Sequence, residues 1–113
     1  MHEMSITQNI LDDVEQSLSK AQYSKVINIK IKVGEFTALD PSSLQFCYKA
    51  LTNGTKFEDT ELLIEIIPLV GHCNSCKKEI NIDNFLFVCG ACGSSNIDIV
   101  SGQELILSEI NVD

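Results

Sequence analysis

Two cysteine pairs constrain this chain more than any other feature: Cys73-Asn-Ser-Cys76 and Cys89-Gly-Ala-Cys92, with twelve residues between them. Each Cys-x-x-Cys turn aims two thiols at one point. Two such turns at the ends of a short hairpin supply four soft donors in a tetrahedron. Small residues fill or follow the turns (Gly90, Ala91, Gly93, Ser94, Ser95), as a tight knuckle requires. Four thiolates leave no open coordination position, which points to a closed structural zinc site. Two disulfides, or an iron site of the same geometry, are the competing readings of the spacing.

Compartment and charge narrow the choice. The N-terminus has no basic region followed by a cleavable apolar stretch, and no run of about 18 apolar residues occurs anywhere. The expectation is a cytoplasmic protein with no membrane span, where thiols stay reduced and metal is favoured over disulfide. The 113 residues include 16 acidic side chains against 8 lysines and no arginine, a net charge of −8. Many zinc ribbons bind nucleic acid, but this chain lacks the basic surface that phosphate contacts need. No nucleophile with a neighbouring base, phosphate loop or open three-ligand zinc site is visible, so the chain reads as no enzyme.

The pattern along the chain sets the fold. Met4 to Ala21 reads as a helix burying Met4, Leu11, Val14 and Leu18. Val26 to Val33 reads as a strand with Ile27, Ile29, Ile31 and Val33 on its buried face. Asp40-Pro41 is an N-cap followed by a first-turn proline, opening a helix with Leu44, Cys47, Tyr48 and Leu51 on one stripe. Cys47 belongs to that apolar stripe and reads as core. Glu61 to Pro68 is a second strand and Glu104 to Val112 a last one. Glu79 to Ile82, Phe85 to Val88 and Ile97 to Val100 are short strand-like pieces between and beside the cysteines. A strand-helix-strand crossover favours parallel neighbours, with the last strand returning beside them. The expected class is α+β: a small two-layer sandwich, with a mixed three-stranded sheet and two helices on one face, plus an inserted zinc-ribbon-like hairpin arm. Residues 1–70 and 103–113 form the α/β domain and 71–102 the zinc-binding domain, which is too small to fold without its metal.

The first three residues carry a second chemistry. The α-amine of Met1 with the backbone nitrogen and imidazole of His2 can form fused chelate rings around one ion. Such nitrogen-rich sites suit Ni(II) and Cu(II). Histidine is too bulky a second residue for usual removal of the methionine. A helix N-terminus disfavours cations, so negative partners must come from deprotonated amides, Glu3 or a carboxylate from elsewhere. Taken alone, an early histidine is weak evidence.

Met1-His2-Glu3-Met4-Ser5, Val33-Gly34-Glu35-Phe36-Thr37, Asp40-Pro41-x-Ser43-Leu44-Gln45-Phe46 and the paired cysteines occur in order over residues 1 to about 112. In this combination the chain resembles the HypA family, nickel-incorporation metallochaperones for [NiFe]-hydrogenase maturation. The resemblance implies Ni2+ as transient cargo, bound by the Met1 amine, His2 and the backbone at Glu3, with Asp40 contributing in some relatives. It implies structural Zn2+ on Cys73, Cys76, Cys89 and Cys92. It further implies a HypB-type GTPase and the hydrogenase large-subunit precursor as partners, with urease accessory proteins as further ones, in a monomer or homodimer. Many relatives carry histidine after the second cysteine pair; here Gly93 follows Cys92, and His72 precedes Cys73 instead. His72 reads as a surface residue and Lys77 and Lys78 as solvated charges offsetting the thiolates. The other function class is a zinc-ribbon protein-interaction module indifferent to nickel.

Overall fold

The structure, a computed structural model, describes residues 2–113. Among these it contains α1 (Glu3–Leu18), β1 (Val26–Gly34), a 3-10 turn (Glu35–Thr37), α2 (Pro41–Thr52), β2 (Glu61–Ile67), β3 (Val70–Cys73), β4 (Glu79–Asn81), β5 (Ile97–Ser101) and β6 (Leu105–Val112). The chain divides into two compact units. The first comprises the described residues up to Lys32 with Leu39–Glu65 and Ile106–Asp113; the second comprises Val33–Ala38 and Ile66–Leu105. No helix among the described residues is long and apolar enough to cross a membrane.

In the first unit the sheet order is β2-β1-β6. β6 runs antiparallel to β1: Asn111 Nδ2 donates to Asn28 Oδ1, Ser108 Oγ donates to the Lys30 carbonyl, and the Asp113 N–H donates to the Lys25 carbonyl. Thr60 Oγ1, one residue before β2, donates to the Val26 carbonyl at the start of β1, so the two strands begin side by side. α1 and α2 pack on each other. α2 is pinned to β2 by Tyr48, whose buried hydroxyl donates to the Thr60 carbonyl at 2.9 Å, and by Gln45, which donates to the Leu62 carbonyl at 2.7 Å. Burial pushes the Tyr48 phenol up to about 12, so it stays a donor at any ordinary pH. The α+β class is as expected.

Three local expectations change. Met4 is 46% exposed; α1 instead buries Glu3, Thr7, Ile10, Leu11, Val14 and Leu18, and it ends at Leu18. The stripe 3-7-10-11-14-18 keeps helical spacing, but polar Glu3 and Thr7 occupy its first turns. In β1 the buried side shifts: Val26 is buried and Ile27 is 45% exposed, while alternation holds from Ile29 to Val33. Phe85 to Val88 forms no strand, because Asn84 and Phe85 both take positive φ and the chain turns there.

In the second unit the sheet order is β4-β3-β5, both pairings antiparallel. β3 had no strand signal, since Val70-Gly71-His72-Cys73 merges a glycine with the first cysteine turn. Val33–Ala38 is bound into this unit. The Gly34 N–H donates to Glu104 O at 2.6 Å, the Phe36 N–H donates to Gly102 O at 2.7 Å, and the Leu69 N–H donates to Glu35 Oε1 at 2.9 Å. Phe36 meets Phe85 and Phe87 edge-on, each at 5.8 Å between ring centroids. A Cβ on Gly34 would collide with the Gly102 backbone, so only glycine permits this approach.

Candidate metal centre

The two Cys-x-x-Cys turns have the same backbone wiring. The Cys73 N–H donates to Lys78 O and the Lys77 N–H donates back to Cys73 O, both at 2.8 Å. In the other turn the Cys89 N–H donates to Ser94 O and the Gly93 N–H donates to Cys89 O, again at 2.8 Å. The residue after each second cysteine is left-handed, Lys77 at φ 64° and Gly93 at φ 76°. Side chains tie the turns together: Ser75 Oγ and Ser94 Oγ are 2.8 Å apart, and Asn74 Nδ2 donates to Asn96 Oδ1 and Asp98 Oδ2.

This wiring converges the four sulfurs. All four Sγ atoms lie within 4.8 Å of one another. Cys73 and Cys92 are 3.6 Å apart, and Cys76 and Cys89 are 3.7 Å apart. Metal–sulfur bonds of about 2.3 Å in a tetrahedron place sulfurs about 3.8 Å apart, so the donor set fits a closed four-thiolate site. Cys73 and Cys89 are buried, Cys76 half-buried and Cys92 exposed.

Backbone N–H groups aim at the sulfurs and favour the thiolates. The N–H of Cys76, with that of Ser75, brings the Cys73 thiol down to about 6. The N–H groups of Cys92 and Ala91 lower Cys89 in the same way. Without a metal the partner thiols move up. At Cys76 the Lys78 N–H is outweighed by burial and by thiol hydrogen bonds to Cys73 and Cys89. At Cys92 the Ser94 N–H is outweighed by the hydrogen bond to Cys73, burial and its other thiol contacts, and the thiol rises to about 11. Each pair thus combines a ready thiolate with a proton holder whose proton a metal displaces.

The paired turns differ in one strained position. Lysine in the left-handed region costs about 1–2 kcal/mol, which glycine avoids at the expense of unfolded-chain entropy. Lys77→Gly should therefore stabilise the metal-loaded second unit by about 0.5 kcal/mol, read as a raised urea midpoint with unchanged slope.

His72 lies outside the sulfur cluster. It is half-buried on β3, opposite Glu79 of β4 and Asp98 of β5. Cys47 is buried on the α2 stripe.

The other candidate ligands sit at helix starts. Met1 lies outside the described residues. His2 is exposed and stands as N-cap of α1 without a side-chain cap bond. The first helical bond runs from the Ile6 N–H to His2 O, so the earlier amides carry no helical bond. Glu3 is buried at 9% exposure, a placement that the amphipathic pattern did not signal. Asp40 caps α2, and its Oδ2 accepts from the Ser43 N–H at 3.0 Å and the Ser43 hydroxyl at 2.9 Å. Glu3, Met4, Ser42 and Ser43 line one cleft, so the first turns of the two helices are neighbours.

Comparison with known proteins bears on the whole chain. The profile of the family described as hydrogenase/urease nickel incorporation, metallochaperone, hypA matches residues 1–112. Hydrogenase maturation factor HypA of Desulfitobacterium hafniense is 36% identical over 113 residues, covering 100% of this chain and 99% of that protein. Its counterpart in a Nostoc species is 39% identical, covering 100% of this chain and 96% of that protein. The fold is similar to the solution structure of the Ni metallochaperone HypA from Helicobacter pylori. There the TM-score is 0.66 at 24% identity, over 99% of this chain and 97% of that one. A second HypA solution structure gives a TM-score of 0.70 at 24% identity over 99% of this chain and 96% of that one.

Proposed function

Because the chain belongs to the HypA family, we propose that it binds Ni(II) at its N-terminus and passes it on for [NiFe]-hydrogenase maturation. The family consists of carriers and maturation factors, and the role proposed is not catalytic. The observation that carries the reading is the state of His2. It is exposed, immediately precedes α1, and adjoins amides that no helical bond occupies. Deprotonating the amides at His2 and Glu3 then breaks no helical bond, while the Met1 amine and the His2 imidazole complete a nitrogen-rich set. Asp40 is a further ligand in this reading. Both of its cap bonds use Oδ2, which leaves Oδ1 for the cation.

In the same reading the four cysteines hold zinc permanently and the second unit presents a shaped surface to partners. Those partners are a HypB-type GTPase and the immature hydrogenase large subunit, in the reducing cytoplasm; urease accessory proteins are further clients. Release is built into the nickel site, because ligands at a chain end exchange one at a time. Its amine, imidazole and amides must all shed protons to bind, so affinity falls with acidity.

Nickel titrations of zinc-loaded protein test the reading. His2→Ala should abolish tight binding. Asp40→Asn keeps a good helix cap but loses the charge, and should weaken binding by about tenfold. A zinc-ribbon interaction module without nickel delivery would bind nickel equally in all three forms.

A further inference from the structure

The cleft between the first turns of α1 and α2 has a volume of about 450 Å³ and an unbalanced floor. Glu3 is 9% exposed, and its Oε2 is screened from water with no hydrogen-bond partner among the described residues. A carboxylate oxygen so placed lacks a donor among the described residues. The rest of the lining is of another kind: Met4 is 46% exposed and Phe46 73% exposed, with Ser42, Ser43 and Cys47 between them.

We propose that this cleft receives an arginine side chain from a protein partner. The guanidinium fork supplies several donors at once, so it can meet the Glu3 carboxylate and the serine oxygens together. Ser43 already gives its hydroxyl proton to Asp40 at 2.9 Å, which leaves its oxygen as an acceptor. Phe46 offers a ring face to the cation and Met4 an apolar surface to its stem. A lysine ammonium is a compact point charge and cannot span these groups. Charge complementarity selects the occupant: the chain has no arginine of its own and a net charge of −8, which draws basic partners. The site uses the side chain of Glu3, and it stands whether or not nickel binds at His2.

The test uses full-length, zinc-loaded, nickel-free protein, with n-butylguanidinium and n-butylammonium as probes and amide NMR shifts as the readout. Saturable shifts are expected at Glu3, Ser42, Ser43 and Cys47. Butylguanidinium should bind at least about threefold more tightly than butylammonium, since one good extra hydrogen bond is worth that much. Glu3→Gln should weaken it about tenfold through loss of the charged acceptor. Phe46→Ser, at an exposed position that the fold does not need, should weaken it about threefold. Shifts that do not saturate, undiminished affinity in either variant, or tighter binding of butylammonium would overturn the proposal.

Discussion

Cys73→Ser should empty the zinc site and unfold the second unit while the first unit keeps its core. The reason is the division of buried apolar residues. The first unit centres on Ile29, Ile31, Leu44 and Val14, each fully buried at 0% exposure. In the second unit the fully buried side chains include the two cysteines Cys73 and Cys89, at 0% and 1%. Without its metal a unit this small has too little apolar surface to offset chain entropy. Structural zinc contributes about 10–16 kcal/mol in isolated zinc-finger peptides. Cys73 also ends β3, the central strand of the sheet, so its loss reaches both β4 and β5. Zinc content by mass spectrometry and amide dispersion by NMR check this together. A variant that lacks zinc yet keeps dispersed amides in β3 to β5 would contradict it.

How far the sequence reaches is clearest from the residues that misled it. Cysteine spacing is a covalent count, and the two turns converge as that count requires. Asp40-Pro41 is a local signal with one local outcome, and the cap bond from Ser43 is present. Periodicity served less well where two faces competed. Met4 looked like the first apolar residue of α1, but the stripe runs through Glu3 and Thr7, and Met4 faces out. A buried acid in a first helical turn contradicts the polar-out pattern, so no count of apolar residues would find it. Ile27 and Val26 are both β-branched, and which one turns inward depends on pairing with neighbouring strands. Asn84 and Phe85 adopt positive φ despite a run, Phe85-Leu86-Phe87-Val88, whose composition favours a strand. Nothing in Val33–Ala38 announces that it packs with residues far along the chain. Its attachments to Leu69, Gly102 and Glu104 are long-range hydrogen bonds, and only Gly34 hints at a close approach.

The second large effect concerns the chain end itself. Nickel is proposed to use the free α-amine of Met1, which closes a chelate ring with the His2 amide. Acetylating that amine turns it into an amide, adds no new amine and leaves the His2 side chain untouched. α1 is unaffected, since its first bond forms between Ile6 and His2 O. Zinc binding is equally unaffected, because the four thiols lie beyond residue 70. This change therefore separates nickel chemistry from folding more cleanly than any substitution inside the helix.

The most direct measurement is calorimetric titration of Ni(II) into zinc-loaded protein with its native N-terminus and into the same protein acetylated at Met1. N-terminal nickel binding predicts one nickel per native chain. It also predicts an affinity lower by about a hundredfold or more in the acetylated protein, from loss of the amine donor and its chelate ring. Equal stoichiometry and equal affinity in the two proteins would contradict it.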